Sequence, residues 1–160
     1  MMNIPVYSIV AFSGTGKTTL LEKLIPELKS RGLRVAVIKH DAHEFQIDRE
    51  GKDTWRMTNA GADITAVTNA SHAAVLVNRP VSFDVLLSMI TDVDIILTEG
   101  YKHGSWPKIA LFRKASGNPL PISENGYFAI MSDTDTDVNA PCLPLDDIAG
   151  LTEMILADIK

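Results

Sequence analysis

Short runs of apolar residues, separated by polar segments, recur along the chain and predict buried strands. They cover residues 7–12, 34–39, 94–100, 109–112 and 127–131. A strand that is covered on both faces of a parallel sheet shows such a run rather than an alternation. Residues 17–30 and 146–159 instead place their leucine, isoleucine and methionine residues three or four positions apart, which predicts amphipathic helices. The order of strands and helices favours an α/β fold with a mostly parallel sheet.

Two further apolar segments, residues 64–68 and 73–77, predict a β-hairpin because the four residues between them suit a turn. We expect this pair to add an antiparallel element to the sheet. Helices are expected over about residues 51–60 and after Ser82, a residue type that often caps a helix. No segment has the composition of a linker, so we expect a single three-layer domain over residues 1–160.

The most informative stretch joins the first predicted strand to the first predicted helix. It has the sequence Ala-Phe-Ser-Gly-Thr-Gly-Lys-Thr over residues 11–18. This layout is typical of a phosphate-binding P-loop, although Ala11 replaces the first glycine of the usual pattern. Glycines let backbone N–H groups approach phosphate oxygens, and the start of a helix adds free N–H donors. We expect Lys17 to reach the β- and γ-phosphates of a nucleotide and the Thr18 hydroxyl to bind Mg²⁺.

A P-loop needs an acidic partner for the metal ion, and Glu99 is the candidate because it ends a buried strand. Gly100 follows it and would let the backbone approach the γ-phosphate. The alternative interpretation of Glu99 is a carboxylate at an exposed strand end. Asp94 begins the same strand, so it should lie at the opposite edge of the sheet. Lys102 and His103 come next and are either contacts to a nucleotide or partner, or a solvated pair.

Charged and histidine side chains are concentrated in the segment that follows the second strand. They are Lys39, His40, Asp41, His43, Glu44, Asp48, Lys52 and Asp53. One interpretation is a switch-like loop that senses phosphate, with Asp48 near Mg²⁺ or the attacking water. A second is a transition-metal site built on His40 and His43. A third is a charged surface loop, and the sequence does not decide among the three.

Base selectivity has one candidate residue. The usual guanine-reading motif Asn-Lys-x-Asp does not occur in the chain. Asp133 follows a predicted strand at the nucleotide edge of the sheet, where its carboxylate could accept hydrogen bonds from the N1–H and N2–H groups of guanine. An Asx turn within residues 133–135 explains this aspartate equally well.

Composition and charge limit the function classes. Of the 160 residues 46% are hydrophobic and the net charge is −5, so we expect neither disorder nor a nucleic-acid partner. No apolar run approaches the ~18 residues of a membrane span, and the N-terminus lacks the pattern of a signal peptide. The single Cys142 excludes an intramolecular disulfide and is expected to be a small packed side chain. A cytoplasmic protein is expected.

Several motifs together give a resemblance that covers nearly the whole chain. Besides the P-loop they are Ile38-Lys39-His40, Asp48 with Gly51-Lys52-Asp53-Thr54, Ala60-Gly61-Ala62, Glu99-Gly100-Tyr101-Lys102-His103 and Lys108-Ile109. In this order they resemble the MobB family, the molybdopterin-guanine dinucleotide biosynthesis adapter proteins. The Gly-Lys-Asp-Thr and Glu-Gly-Tyr-Lys-His blocks are more specific than the P-loop. The alanine at position 11 also agrees with the modified loop of that family.

The resemblance implies a P-loop GTPase fold that works as a homodimer, binds GTP with Mg²⁺ and hydrolyses GTP slowly. The implied partner is the molybdenum cofactor guanylyltransferase MobA, which attaches GMP to molybdopterin, while direct binding of molybdopterin is left open. The implied phosphate site consists of Gly14, Thr15, Gly16, Lys17, Thr18 and Thr19. Glu99 is its implied acidic partner. The resemblance also implies that Asp48 and Lys39 are site residues, and it specifies their positions more clearly than their roles.

Two other function classes compete with the adapter. A small P-loop kinase usually carries an arginine-rich lid, whereas Arg113 and Lys114 are the only clustered cations in the second half of the chain. A metal-insertion chaperone GTPase would use His40 and His43 as ligands. The sequence offers no obvious arginine near the P-loop, which agrees with slow hydrolysis. We therefore expect a partner to supply one, or the 41–51 loop to close over the site.

Overall fold

The computed structural model describes residues 4–40, 45–121, 123 and 126–159. These residues form two compact units. The first unit combines Met1–His40 with Asp92–Lys160, and the second is Asp41–Thr91.

Eight strands and four helices make up the described chain. The strands are β1 (Val6–Val10), β2 (Val35–Lys39), β3 (Ile64–Thr68), β4 (Ala73–Val77), β5 (Ile95–Glu99), β6 (Lys108–Phe112), β7 (Ala129–Ser132) and β8 (Cys142–Pro144). The helices are α1 (Lys17–Ser30), α2 (Asp53–Asn59), α3 (Phe83–Met89) and α4 (Ile148–Asp158), with a short 3₁₀ helix at Lys114–Ser116. The bounds predicted for α1, β3 and β4 are confirmed, and those of the other predicted elements differ by a few residues at their ends.

The first unit is built on a six-stranded sheet with the order β2-β5-β1-β6-β7-β8. Every pair of neighbouring strands is parallel. The chain leaves β1 towards β2 on one side, and it later forms β6 on the other side. A reversal of this kind marks the place where open parallel sheets bind ligands, at the carboxyl ends of the strands. The structure therefore confirms a mostly parallel sheet and places its switch point at β1.

Helices α1 and α4 form the core of the first unit with one face of the sheet. Leu24 and Leu28 of α1 and Leu151 of α4 are all 0% exposed. Tyr7 of β1 is buried in the same cluster, and its hydroxyl donates to the Asp158 carboxylate at 2.5 Å. This burial fixes β1 and α1, and hence the loop that joins them.

The opposite face of the sheet is less uniformly apolar. Val10, Ala110 and Ile130 form a small buried cluster there, against which Leu120 and Tyr127 pack. The alternation of side chains along each strand explains why this set does not mix with the larger core.

The second unit corrects one expectation about the hairpin. β3 and β4 pair with each other in a separate two-stranded antiparallel sheet and do not extend the parallel one. The predicted turn is present, since the Asn69 side-chain oxygen accepts hydrogen bonds from the N–H groups of Ser71 and His72 at 2.8 Å each. The hydroxyls of Thr58 in α2 and Thr65 in β3 are 2.8 Å apart, which links the helix to the hairpin.

Two features of the first unit were not predicted. The three-residue strand β8 extends the sheet beyond β7, and it is too short and too exposed to give an apolar run. Cys142, expected to be packed, is exposed at the start of this strand. No helix within the described ranges is long and apolar enough to span a membrane.

Asp94 lies at the start of β5, the edge opposite the glycine loop, as predicted. Its carboxylate accepts hydrogen bonds from Arg34, at 3.1 Å from Nε, 3.0 Å from Nη2 and 2.7 Å from the backbone N–H. These bonds lower the pKa of Asp94 to about 2, and the bonds from the Arg34 side chain contribute more than the one from its backbone N–H. Because the folded-state pKa is below the value of about 3.9 in an unfolded chain, the stabilisation is present above that pH and is lost as the pH falls towards 2.

We expect Asp94→Asn to lower the free energy of unfolding at pH 7, with a difference from wild type that shrinks between about pH 4 and pH 2. Urea denaturation across this range measures it. Asp135→Asn, which changes an exposed carboxylate in another loop, is the control. A difference that stays constant from pH 7 to pH 2 would contradict the proposed role of the Asp94 charge.

Candidate functional site

The carboxyl ends of the parallel strands bring together most of the predicted site residues of the first unit. The glycine loop follows β1, His40 follows β2, and Gly100 follows β5. Arg113 and Asp133 follow β6 and β7 in the same way. Since all these strands are parallel, the five segments lie at one edge of the sheet.

The glycine loop has the backbone that a phosphate-binding turn needs. Gly14 and Gly16 have φ angles of +75° and +110°, which residues with a side chain rarely adopt. The ammonium group of Lys17 folds back and donates to the carbonyl oxygens of Ala11 and Phe12, each at 3.2 Å. The lysine thus crosses the loop from the first turn of α1 to the two residues that follow β1.

Ala11, which departs from the usual P-loop pattern, is accounted for by packing. Its side chain is 2% exposed and belongs to the main core cluster. At this position the chain therefore uses a methyl group to fill the core beneath the loop.

The remaining loop residues are distributed between the interior and the surface. Thr15 is buried, whereas Thr18 and Thr19, in the first turn of α1, are exposed. The Thr18 side chain is therefore accessible to a ligand at the start of α1. The structure therefore places the predicted phosphate-site residues in one continuous loop and helix start.

Glu99 lies on the strand next to this loop. It pairs in register with Ile9 of β1 on one side and with Lys39 of β2 on the other. Its side chain is partly buried, and Lys39 is exposed. Carboxylate and hydroxyl oxygens are the ligands that Mg²⁺ prefers, so Glu99 and Thr18 have the chemistry to hold it.

Gly100 has a structural role that the sequence did not predict. Its φ angle is +99°, and a methyl group added there would lie 2.6 Å from the carbonyl oxygen of His40. His40 N–H in turn donates to the Glu99 carbonyl at 2.8 Å. The glycine is thus required for the close approach of the chain that leaves β2, whatever it contributes near a phosphate.

The residues after Gly100 contact the glycine loop and one another. The Lys102 ammonium lies 5.2 Å from the centre of the Phe12 ring, which is a cation–π geometry. The Tyr101 ring contacts His40 with a centroid distance of 4.9 Å, and Trp106 with one of 6.1 Å. Lys102 and His103 are both exposed, and the predicted contact to a nucleotide or partner stays a prediction.

Arg113 is the residue that sequence reasoning missed. The sequence showed no arginine close to the P-loop, yet Arg113 Nε donates to the Thr15 carbonyl oxygen at 2.9 Å. The two residues are 98 positions apart in the chain, so only the pairing of β6 with β1 brings them together. The apolar run that predicted β6 was the one available signal, because it ends directly before this arginine.

Asp133 lies at the predicted edge but is not part of an Asx turn. Its Oδ1 accepts a hydrogen bond from the Lys114 backbone N–H at 2.9 Å, and its side chain is exposed. The local turn uses Ser132 instead, whose hydroxyl bonds with the backbone of Thr134. The carboxylate is therefore held between the ends of β6 and β7.

The residues proposed for a switch loop or a metal site are only partly described. Asp48 belongs to the second unit, where its Oδ2 is shielded from solvent and has no hydrogen-bond partner among the described residues. His43 lies outside the described residues, as do Asp41 and Glu44. Within the described ranges, no group of three or more histidine, cysteine or acidic side chains is arranged to hold a metal ion.

The sheet order and the glycine loop after its central strand define a P-loop NTPase-like protein. Comparison with known proteins agrees. The profile of the family described as "Molybdopterin guanine dinucleotide synthesis protein B" (MobB) matches residues 6–133. The chain therefore belongs to the MobB family, which works in the biosynthesis of the molybdenum cofactor.

Relatives and solved structures support the same family. The molybdopterin-guanine dinucleotide biosynthesis adapter protein of Haemophilus influenzae is 40% identical over 156 residues, covering 95% of this chain and 88% of the relative. That of Escherichia coli is 35% identical over 161 residues, covering 96% and 92%. The crystal structure of Bacillus subtilis MobB superimposes with a TM-score of 0.78 at 30% identity, covering 98% of both chains.

Proposed function

We propose that this chain binds GTP with Mg²⁺ and acts as an adapter in the attachment of GMP to molybdopterin. One observation carries the proposal. In a member of the MobB family, the glycine loop after β1 is preorganised, with Lys17 folded across it onto the carbonyls of Ala11 and Phe12. A loop of this geometry presents N–H groups and a cation to a phosphate chain.

The proposed roles follow the positions in the site. The phosphates would be bound by Gly14, Thr15, Gly16, Lys17, Thr18 and Thr19, with Lys39 as a further cation on β2. Mg²⁺, when bound, would neutralise phosphate charge and orient the phosphate chain, and Thr18 and Glu99 supply the oxygen ligands. Asp48 and Glu99 are the candidates for orienting an attacking water in slow hydrolysis, which makes the protein at most a weak GTPase.

The proposed partners are a second copy of the chain, to form a homodimer, and the guanylyltransferase MobA in the cytoplasm. Exposed apolar side chains in the second unit support a partner. They include Ile64, Val67 and Val75 of the hairpin and Met57 of α2, each at least 51% exposed. Apolar surface of this kind is typical of interaction sites. Direct binding of molybdopterin is a further part of the proposal, which a titration of the protein with molybdopterin tests.

The experiment that tests the proposal is a titration of the protein with fluorescent GTP and ATP analogues in the presence of Mg²⁺. We expect GTP to bind more tightly than ATP. Asp133→Asn should weaken GTP binding about tenfold or more and leave ATP unchanged, because an amide cannot accept both hydrogen bonds from the guanine edge.

Asp135→Asn is the matched control, since it changes an exposed carboxylate two residues away. ATP binding equal to or tighter than GTP binding would contradict the adapter proposal and favour a small P-loop kinase. If Asp133→Asn weakened both nucleotides equally, Asp133 would support the loops at the ends of β6 and β7 and would not read the base.

A further inference from the structure

The side chain of Arg113 contacts the backbone of the glycine loop. Its Nε donates to the carbonyl oxygen of Thr15 at 2.9 Å, while a guanidinium nitrogen lies 3.6 Å from the position that a methyl group on Gly16 would occupy. The arginine is the first residue after β6, and its contact is made by a charged donor to a neutral carbonyl. Hydrogen bonds with one charged partner are stronger than neutral ones.

The contact fixes the orientation of one peptide unit of the loop. A trans peptide is planar, and its C=O and N–H point in opposite directions. Because the Thr15 carbonyl points towards Arg113, the N–H of Gly16 points away from it. This N–H has no hydrogen-bond partner among the described residues, although Gly16 itself is partly buried.

We propose that Arg113 is a positioning residue that holds the Thr15–Gly16 peptide so that the Gly16 N–H faces the phosphate chain of a bound nucleotide. This inference rests on the proposed nucleotide binding. Without the arginine, the Thr15–Gly16 peptide loses this hydrogen bond beside a glycine of positive φ, and ligand binding must then supply more of the energy that orders it. The arginine acts through the loop backbone, so its effect depends on the donor at Nε and not on charge alone.

Three substitutions separate the donor from the charge. Arg113→Gln places an amide N–H at the same number of bonds from Cα as the arginine Nε, but it carries no charge. Arg113→Lys keeps the charge and places a methylene at that position. Arg113→Met removes both. Lys114→Met is the matched control, because Lys114 is the adjacent exposed cation and its hydrogen bonds, with Asp133 and Gly117, are made by its backbone.

The measurement is calorimetric titration of each variant with Mg²⁺–GTP and, separately, with inorganic tripolyphosphate. We expect Arg113→Met and Arg113→Lys to bind both ligands about tenfold more weakly. Arg113→Gln, whose neutral donor makes a weaker hydrogen bond, should retain most of the wild-type affinity, and Lys114→Met should retain all of it. The Gly16 amide resonance should shift on addition of tripolyphosphate in wild type and Arg113→Gln, and less in Arg113→Met. Unchanged melting temperatures would show that all variants fold.

The outcomes separate this inference from the proposed function. If wild type binds GTP but all four variants bind equally well, the role of Arg113 is wrong and nucleotide binding stands. If Arg113→Lys retains affinity while Arg113→Gln loses it, the charge acts directly and the positioning role is overturned. If wild type binds tripolyphosphate but not GTP, the proposed function fails and the variants still test Arg113. If wild type binds neither ligand, both proposals fail.

Discussion

Replacing Lys17 with alanine is expected to weaken the binding of Mg²⁺–GTP by about a hundredfold or more, because a phosphate chain would lose its main cationic contact in a partly buried site. In the structure the ammonium group bonds with the carbonyls of Ala11 and Phe12. It therefore already lies across the loop, and little ordering of this side chain is needed when a nucleotide binds.

The fold should tolerate this substitution. Lys17 is the first residue of α1, and alanine has the highest helix propensity. Lys29→Ala, an exposed lysine in the last turn of the same helix, is the control and should bind GTP nearly as well as wild type. Calorimetric titration measures the affinities, and thermal unfolding verifies the fold. Wild-type affinity in Lys17→Ala would mean that the nucleotide does not bind at this loop.

Local patterns made much of the fold predictable. The buried strands β1, β5 and β7 are mostly apolar, and α1 has its leucines on one face, so each element can be identified from its own residues. Capping is local in the same sense: Ser82 accepts a hydrogen bond from the Val85 N–H at 3.3 Å at the start of α3. The glycine loop was found for the same reason, since its chemistry lies within a few consecutive residues.

The features that were missed depend on contacts between distant parts of the chain. The insertion of β5 between β1 and β2 sets the sheet order, and apolar runs alone carry no information about it. The bond from Arg113 to Thr15 depends on that order, because β6 must lie beside β1. The hairpin was recognised from its turn, but its separation from the main sheet is not encoded in the alternation of its residues.

Gly100 is expected to be among the least tolerant positions of the first unit. We expect Gly100→Ala to lower the free energy of unfolding by about 2–4 kcal/mol, from the combination of a positive φ angle and a steric conflict. The added methyl group would lie 2.6 Å from the His40 carbonyl oxygen. This oxygen is backbone, so relief requires the chain to move at the end of β2 or β5.

Gly32→Ala separates the two contributions. Gly32 also has a positive φ angle, +84°, and a methyl group there would meet no atom within 4 Å. It should therefore show only the cost of the backbone conformation, about 1 kcal/mol. Urea denaturation of both variants provides the comparison. Equal losses of stability would show that the conflict with His40 is relieved without cost.

Gly100→Ala should also affect the proposed nucleotide site. Movement of His40 would disturb the hydrogen bond from its N–H to the Glu99 carbonyl and the contact between its ring and Tyr101. Glu99 is the proposed metal ligand, so Gly100→Ala should reduce the Mg²⁺-dependent part of GTP affinity more than binding in the absence of Mg²⁺. Titrations with and without Mg²⁺, at a temperature where the variant is folded, measure this difference. If both affinities fell by the same factor, the strain would act on the glycine loop as a whole and not through Glu99.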